Sequence, residues 1–348
     1  MAICRLPTVN RWFMARQPAF SVKGGMLMFF PPVISGSNAM AETILNQTLI
    51  MLILMLVGAV SAKAGLISSS ANKDLSAFVL QVVNPVVIFM SYQTEVKPEL
   101  VKKLLITFGL SVLAMAVMLV GAYLFVRPKE GRNTEIERFS SIYSNCGFMG
   151  IPLVNALFGM EGVFCLTAFI TVFNLMVWTH GVILITGEKD AKSVLKVLRS
   201  PTMLAIGLGL LSFFLKIRLP EIPSKAFGFV ADMNTPLAMV VSGVTISETH
   251  LLDTVKKISV YRVCFIKLIL LPFILIVVLL AVPVDEQVKM TVLVAAAAPP
   301  ATMCTLLCIR SGKDSLYASE IFALGTILSV ITLPIVVEFT EFLTKMIS

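Results

Sequence analysis

Charged residues are scarce in this chain of 348 residues, where Asp, Glu, Lys and Arg together make up 14% of the sequence. A soluble globular protein usually carries about 25% charged residues. Hydrophobic residues make up 57%, and the mean hydropathy is +0.92. The apolar residues fall in blocks of about 20, the length that crosses a bilayer. The sequence therefore predicts an integral membrane protein and excludes a soluble one.

Histidine is also rare, with two residues, and the six cysteines show no CxxC spacing, so neither a metal site nor a disulfide framework is expected. The chain has no Walker A motif and no GxGxxG, which leaves ATP hydrolysis without support. Paired carboxylates and Ser/His/Asp sets are missing from the apolar segments, so we expect no enzyme and no cofactor. The net charge of +8 fits basic loops on one side of a membrane better than nucleic-acid binding.

Ten apolar segments follow one another from Met40 onward and predict ten membrane crossings. Their approximate bounds are 43–64, 75–94, 104–126, 138–158, 163–186, 202–217, 226–246, 259–282, 288–309 and 316–343. The polar stretch 187–200 is interpreted as a cytoplasmic linker between a first unit, 40–186, and a second, 201–348. Residues 1–39 hold four basic residues and a short apolar patch interrupted by two prolines, so we expect a disordered or mis-assigned leader there.

Two of the ten segments contain residues that do not suit a lipid-facing helix. Segment four includes SNCGFMGIPLVNALFG, and segment nine includes AAAAPPATMCTLLC. Gly and Pro weaken the helical hydrogen-bond ladder, and free backbone groups are tolerated at membrane depth only beside protein or a cavity. Interrupted segments at matching places in two halves are typical of the substrate site of a secondary transporter. We predict structural helix breaks at Gly147, Gly150, Pro152, Pro85 and Pro236.

The two units of five segments repeat each other weakly. NPVVIFMS in segment two matches NTPLAMVVS in segment seven, with an offset of 151 residues between Pro85 and Pro236. Pro152 and Pro300, in segments four and nine, are 148 residues apart. Because five is an odd number, the second copy would run inverted across the membrane.

The distribution of lysine and arginine predicts the orientation of the chain. These residues are concentrated in the loops that follow segments one, three, five, seven and nine, which places those loops in the cytoplasm and both termini outside. Lys267 is left over inside segment eight, and we expect its side chain to snorkel toward the cytoplasmic face.

The stretch from Asn145 to Leu153, NCGFMGIPL, resembles the N-x-x-x-[ML]-G-I-P-L signature of the auxin efflux carrier family, whose bacterial members are described as malate or malonate permeases. AGLISSSANKDLSAFVLQVVNPVVIF, SPTMLAIGLGLL, NTPLAMVVSG and the last two segments resemble the family's other blocks, so the resemblance runs from Met40 to the C-terminus. It implies an all-α fold of ten transmembrane helices in two inverted five-helix repeats, with helices four and nine broken and crossing. By position, the crossover falls at Ser144-Asn145 and Pro299-Pro300. Plant carriers have a proline where this chain has Ser144.

A crossover of broken helices offers a site for an anion. Each half-helix that restarts after a break presents free N–H groups and about half a positive unit charge. A small carboxylate is therefore the expected substrate. The candidate binding residues are Asn145, Cys146, Pro299, Pro300, Thr302, Asn84 and Asn234. For Asn84 and Asn234, packing between helices is an equal alternative, and for Asn174 packing is favoured.

The coupling of transport stays open at this stage. Asp232 and Glu320 are the candidate proton carriers, and freed carbonyls with Asn or Thr oxygens could instead hold sodium. The predicted function is a transporter of small organic anions in a bacterial inner membrane, with a homodimer left open. The alternatives are a sodium-coupled symporter of the bile-acid-carrier type, which shares the crossed-helix plan, and a membrane sensor that does not transport.

Overall fold

The computed structural model describes residues 39–187, 199–249 and 251–347. The predicted leader up to residue 38 and the linker residues 188–198 lie outside the described residues. The described part is helical and contains no strand beyond one isolated bridge. In chain order its helices are α1 (Ala39–Lys63), α2 (Ser69–Ser91), α3 (Pro98–Phe125), α4 (Thr134–Ile142), α5 (Cys146–Thr186), α6 (Pro201–Phe214), α7 (Glu221–Ser247), α8 (Leu251–Thr254), α9 (Ile258–Leu280), α10 (Glu286–Ala297), α11 (Met303–Arg310) and α12 (Ser315–Ile347).

Seven helices of the described part are long and apolar enough to cross a membrane, namely α1, α2, α3, α5, α7, α9 and α12. The apolar helix α6 has only 14 residues. Predicted segment four is divided between α4, which has 9 residues, and the start of α5. Predicted segment nine is divided between α10 and α11, which have 12 and 8 residues. The chain is therefore a multi-pass membrane protein, while ten crossings and an inverted repeat stay predictions.

The long helix α5 joins predicted segments four and five through one glycine. Gly159 has φ 60° and ψ −156°, a conformation that residues with a Cβ rarely adopt, and the helix changes direction there. The predicted boundary between residues 158 and 163 falls beside it. Gly159 therefore supplies the turn that separates the end of segment four from the start of segment five.

The five glycines and prolines that were predicted as helix breaks all have helical backbone, so their part in the breaks stays a prediction. Gly147 and Gly150 lie in a wide π turn, Cys146–Gly150, and Pro152 follows it. Pro85 likewise follows a π turn, and Pro236 comes three residues after the turn at Met233. A proline lacks an N–H and crowds the carbonyl one turn earlier, and a wide turn relieves both problems without ending the helix.

Helix α1 packs along the second half of α7 at very short range, because Gly58 and Gly243 lie where the two backbones meet. Helix α3 packs on α5 and α10, and the second half of α2 packs on α6. Polar contacts also link the helices, as where Asn72 of α2 donates to the Thr245 hydroxyl of α7 at 3.1 Å. These contacts hold α2 and α6 beside the breaks in segments four and nine.

Candidate substrate site at the crossed helix breaks

Segments four and nine break at the same place in space and pair with each other. Ser144 and Pro300 form an antiparallel bridge. The backbone N–H of Asn145 donates to the Pro299 carbonyl at 2.7 Å, and the N–H of Ala301 donates to the Tyr143 carbonyl at 3.0 Å. Four half-helices therefore converge at one point: α4 and α10 end there, and α5 and α11 begin there.

The break in segment nine follows directly from its sequence. A residue that precedes proline is pushed out of the helical region, and both Ala298 and Pro299 precede a proline. Ala298 accordingly has ψ 150°. In segment four, where no proline stands at the break, Tyr143 is extended and Asn145 has ψ 51°. Pairing with the proline-containing break of segment nine satisfies the N–H of Asn145, so Ser144 does not prevent the break.

A cavity of about 210 Å³ lies against the crossover and is bounded on its other side by α2 and α6. Its polar lining includes predicted site residues from both breaks and from α2. Among all its lining residues, which belong to the described part of the chain, none carries a charge. The predicted residues that line it are Asn84, Asn145, Cys146, Gly147, Asn174 and Thr302.

Asn145 stands out within this cavity because its side-chain amide is unsatisfied. Its side chain is buried, with 6% exposure, and the Nδ2 atom has no hydrogen-bond partner. A buried donor without a partner is costly, and such groups need an explanation in a native structure. Asn174 lines the same cavity, but its Nδ2 donates to the Ile170 carbonyl of its own helix at 2.8 Å. Asn145 thus keeps an unpartnered buried amide group where α5 begins, whereas the amide group of Asn174 already makes one hydrogen bond.

Asn84 and Asn234, which occupy matching places in the two units, contact each other. The Nδ2 atom of Asn234 donates to Oδ1 of Asn84, and both side chains are buried. Asn84 lines the cavity, whereas Asn234 lies behind it. A Cβ atom at Gly147 would lie 3.3 Å from the Asn84 amide, so the glycine leaves room for this pair. Asn84 thus both lines the cavity and contacts another helix, whereas Asn234 makes the helix contact without lining the cavity.

Other predicted site residues lie away from the cavity. Pro299 and Pro300 are buried but do not line it, and Pro300 packs on α12, where a Cβ at Gly325 would lie 2.6 Å from its ring. Their contact with substrate stays a prediction, because neither proline lines the cavity. Asp232 is exposed. Glu320 is buried and already accepts two hydrogen bonds from Lys257, at 2.6 and 2.8 Å.

Lys267 is the residue that sequence reasoning misplaced. It does not snorkel, because its side chain has 0% exposure. Its Nζ atom donates to the carbonyl of Ile142 at 3.3 Å and to that of Ala296 at 3.1 Å. The signal was present in the sequence as a single lysine among apolar residues of segment eight, but the carbonyl groups it reaches belong to other segments.

The rest of the cavity wall is mostly apolar and was not predicted. Phe148 and Ile151 come from α5 just after the break, and Phe173 comes from later in the same helix. Ser76 of α2 and Thr202 of α6 add hydroxyl groups at the edge. Residues of this kind carry no sequence signal of their own, since apolar side chains in a membrane protein face lipid, protein or a cavity alike. The site therefore combines a polar region at the breaks with an apolar wall.

Comparisons with known proteins identify the family of this chain. The family model described as membrane transport protein matches residues 43–196 and 190–337. An uncharacterized transporter of Methanocaldococcus jannaschii is 28% identical over 220 residues, which cover 60% of this chain and 70% of the relative. An uncharacterized transporter of Methanothermobacter thermautotrophicus is 24% identical over 307 residues, covering 84% of this chain and 96% of the relative. The chain belongs to the membrane transport protein family, the auxin efflux carrier family that its sequence blocks resemble.

Proposed function

We propose that this membrane transporter carries small organic anions, with carboxylates such as malate and malonate as the starting class, by alternating access around the crossover. The observation that carries the proposal is the free Nδ2 donor of Asn145, buried in a cavity where α5 and α11 both begin. The first N–H groups of a helix lack partners within the helix and attract negative charge. A carboxylate would satisfy the Asn145 amide and both helix ends together.

The apolar wall favours a particular kind of carboxylate within this class. Leu80 and Ile88 of α2 face the cavity together with Phe148, Ile151, Ile170 and Phe173 of α5. A carboxylate with an apolar body would bury that body here, at a gain of about 25 cal/mol for each Å² removed from water. A second carboxylate or a hydroxyl group, as in malate, would be desolvated against the same apolar wall, which would weaken its binding. We therefore include an aromatic monocarboxylate as a second candidate substrate.

The proposed architecture is ten crossings in two inverted units, 40–186 and 201–348, joined by the linker 187–200. The support is the pairing of breaks from both units at one point and the contact between the matching residues Asn84 and Asn234. The proposed location is the cell membrane, with both termini outside, as the basic loops indicate. Neither a partner chain nor a metal enters this proposal.

Uptake into proteoliposomes tests the proposal directly. Labelled malate, malonate and phenylacetate are supplied separately, with and without sodium and pH gradients. We expect saturable uptake of at least one acid. A strict need for sodium would identify the sodium-coupled alternative, and binding without exchange would identify a sensor. Dependence on a pH gradient would indicate proton coupling. Of the two candidate proton carriers, Asp232 is exposed and Glu320 is paired with Lys257.

Replacing Pro299 and Pro300 together with Ala should weaken carboxylate binding by about tenfold or more. The change removes the restriction on the preceding residues and restores two N–H groups, so a helix continuing from α10 into α11 becomes favourable. The N-terminus of α11 would then no longer point into the cavity. Equilibrium binding of the transported acid to purified protein measures the effect.

The matched control for this double variant is Pro334→Ala. Pro334 lies inside α12 and not at a break, so its replacement should leave the affinity for the acid within about twofold of the wild type. Wild-type affinity in the double variant would show that the proline-enforced break is not needed for binding.

A further inference from the structure

Lys267 lies in the π turn Ile266–Leu270 of α9 and is enclosed completely by protein. Its two hydrogen-bond acceptors have a feature in common. Ile142 is the last residue of α4, and Ala296 is next to last in α10. The ammonium group therefore contacts the carboxyl ends of both half-helices that stop at the crossover.

These helix ends carry partial negative charge. Each helix C-terminus is equivalent to about half a negative unit charge, so the two together match one positive charge. The other two half-helices, α5 and α11, begin at the crossover and contribute about one positive unit charge in sum. With Lys267 charged, the four helix ends and the lysine add up to about one positive charge, and one carboxylate balances it.

The neighbouring carboxylates do not use Lys267 as a partner. Glu137 of α4 is paired with Arg132 and Arg262, and the Tyr317 hydroxyl also donates to it at 3.0 Å. Glu320 of α12 is paired with Lys257. Within the described residues, no ion pair includes Lys267, so its ammonium group lies against the two helix ends without a carboxylate partner.

We propose that Lys267 makes the crossover selective for anions. It cancels the two negative helix ends, so that the field in the cavity comes from the two positive ones. Lys267 is a positioning residue that touches the helix ends and not the substrate. This inference rests on the proposed function, because it explains why that site would take a carboxylate rather than its neutral analogue.

The test compares each acid with its uncharged amide. Affinities of the full chain in lipid nanodiscs are measured for phenylacetate and phenylacetamide, and for malonate and malonamide. The variants are Lys267→Gln, which keeps an N–H donor without charge, Lys267→Met, which removes both, and Lys267→Arg, which keeps the charge. Lys129→Gln removes one charge from an exposed loop and serves as the control.

In Lys267→Gln and Lys267→Met we expect the ratio of acid affinity to amide affinity to fall by about tenfold or more, as the loss of a nearby charge in a protein interior predicts. The ratio should stay within about threefold of the wild type in Lys267→Arg and Lys129→Gln. Lys267→Gln can still donate to a helix-end carbonyl, so it tests the charge even if Lys267→Met does not fold.

Two results would overturn this inference and leave the proposed function standing. An unchanged ratio in Lys267→Gln would show that the charge does not set selectivity. Equal losses for acid and amide would show that Lys267 only ties the two helix ends together. If the wild type binds neither acid, the proposed function fails, and the inference fails with it.

Discussion

Asn145→Ala should lower carboxylate uptake by about 10- to 150-fold, because a buried hydrogen bond to a charged group contributes about 1.5–3 kcal/mol. The lost donor is the Nδ2 atom that has no partner within the protein. The fold should persist, since the crossover contact at 2.7 Å uses the backbone N–H of Asn145, which alanine keeps. Initial uptake rates in proteoliposomes, normalised to reconstituted protein, measure the effect.

Two further variants sharpen this prediction. Asn174→Ala removes an amide from the same cavity, but that amide already donates to Ile170, so we expect a clearly smaller loss. Asn145→Asp replaces the donor with a negative charge where the substrate carboxylate would bind, so its loss should exceed that of alanine. Equal uptake by Asn145→Ala and the wild type, at equal protein content, would show that the Asn145 side chain does not bind the substrate.

The break in segment nine could be predicted because local chemistry determines it, whereas the position of the break in segment four was implied by the resemblance to the family. Consecutive prolines forbid a helix at residues 298–300 whatever surrounds them. In segment four the signal was weaker, since Asn145 and two glycines only permit a break. The structure supplies what the sequence could not show, namely that the break in segment nine accepts the N–H of Asn145 at Pro299 and donates to the Tyr143 carbonyl from Ala301. Local propensity suffices in one segment, and tertiary pairing completes the other.

The partners of buried polar groups could not be predicted, because they depend on which segments become neighbours. The weak repeat placed Asn84 and Asn234 at equivalent positions, yet nothing in it implied that one would donate to the other. The ion-pair partner of Glu320, a candidate proton carrier, is Lys257, which comes from a different segment. The position of the Lys267 side chain was mispredicted for the same reason. A lone lysine on a lipid-facing helix usually snorkels, but Lys267 faces protein.

Gly243→Ala should destabilise the protein by about 3 kcal/mol or more, at the upper end of overpacking effects. A Cβ atom at this position would lie 1.9 Å from the carbonyl oxygen of Met55, a backbone atom that no rotamer change can move. The contact is reciprocal, because a Cβ at Gly58 would lie 2.2 Å from the carbonyl oxygen of Val240. Small residues of this kind allow transmembrane helices to approach closely, so α1 and α7 would have to separate.

Thermal melting of the purified protein, followed by size-exclusion chromatography, measures this effect. Gly207→Ala is the control, since its Cβ would meet no atom within 4 Å and the helix gains propensity, so its melting temperature should equal or exceed that of the wild type. An unchanged melting temperature in Gly243→Ala would contradict the close contact of α1 and α7. The contact also concerns transport, because α7 presents Asn234 to Asn84 at the cavity. Separation of α1 and α7 should therefore reduce uptake even below the melting temperature, although neither glycine lines the cavity.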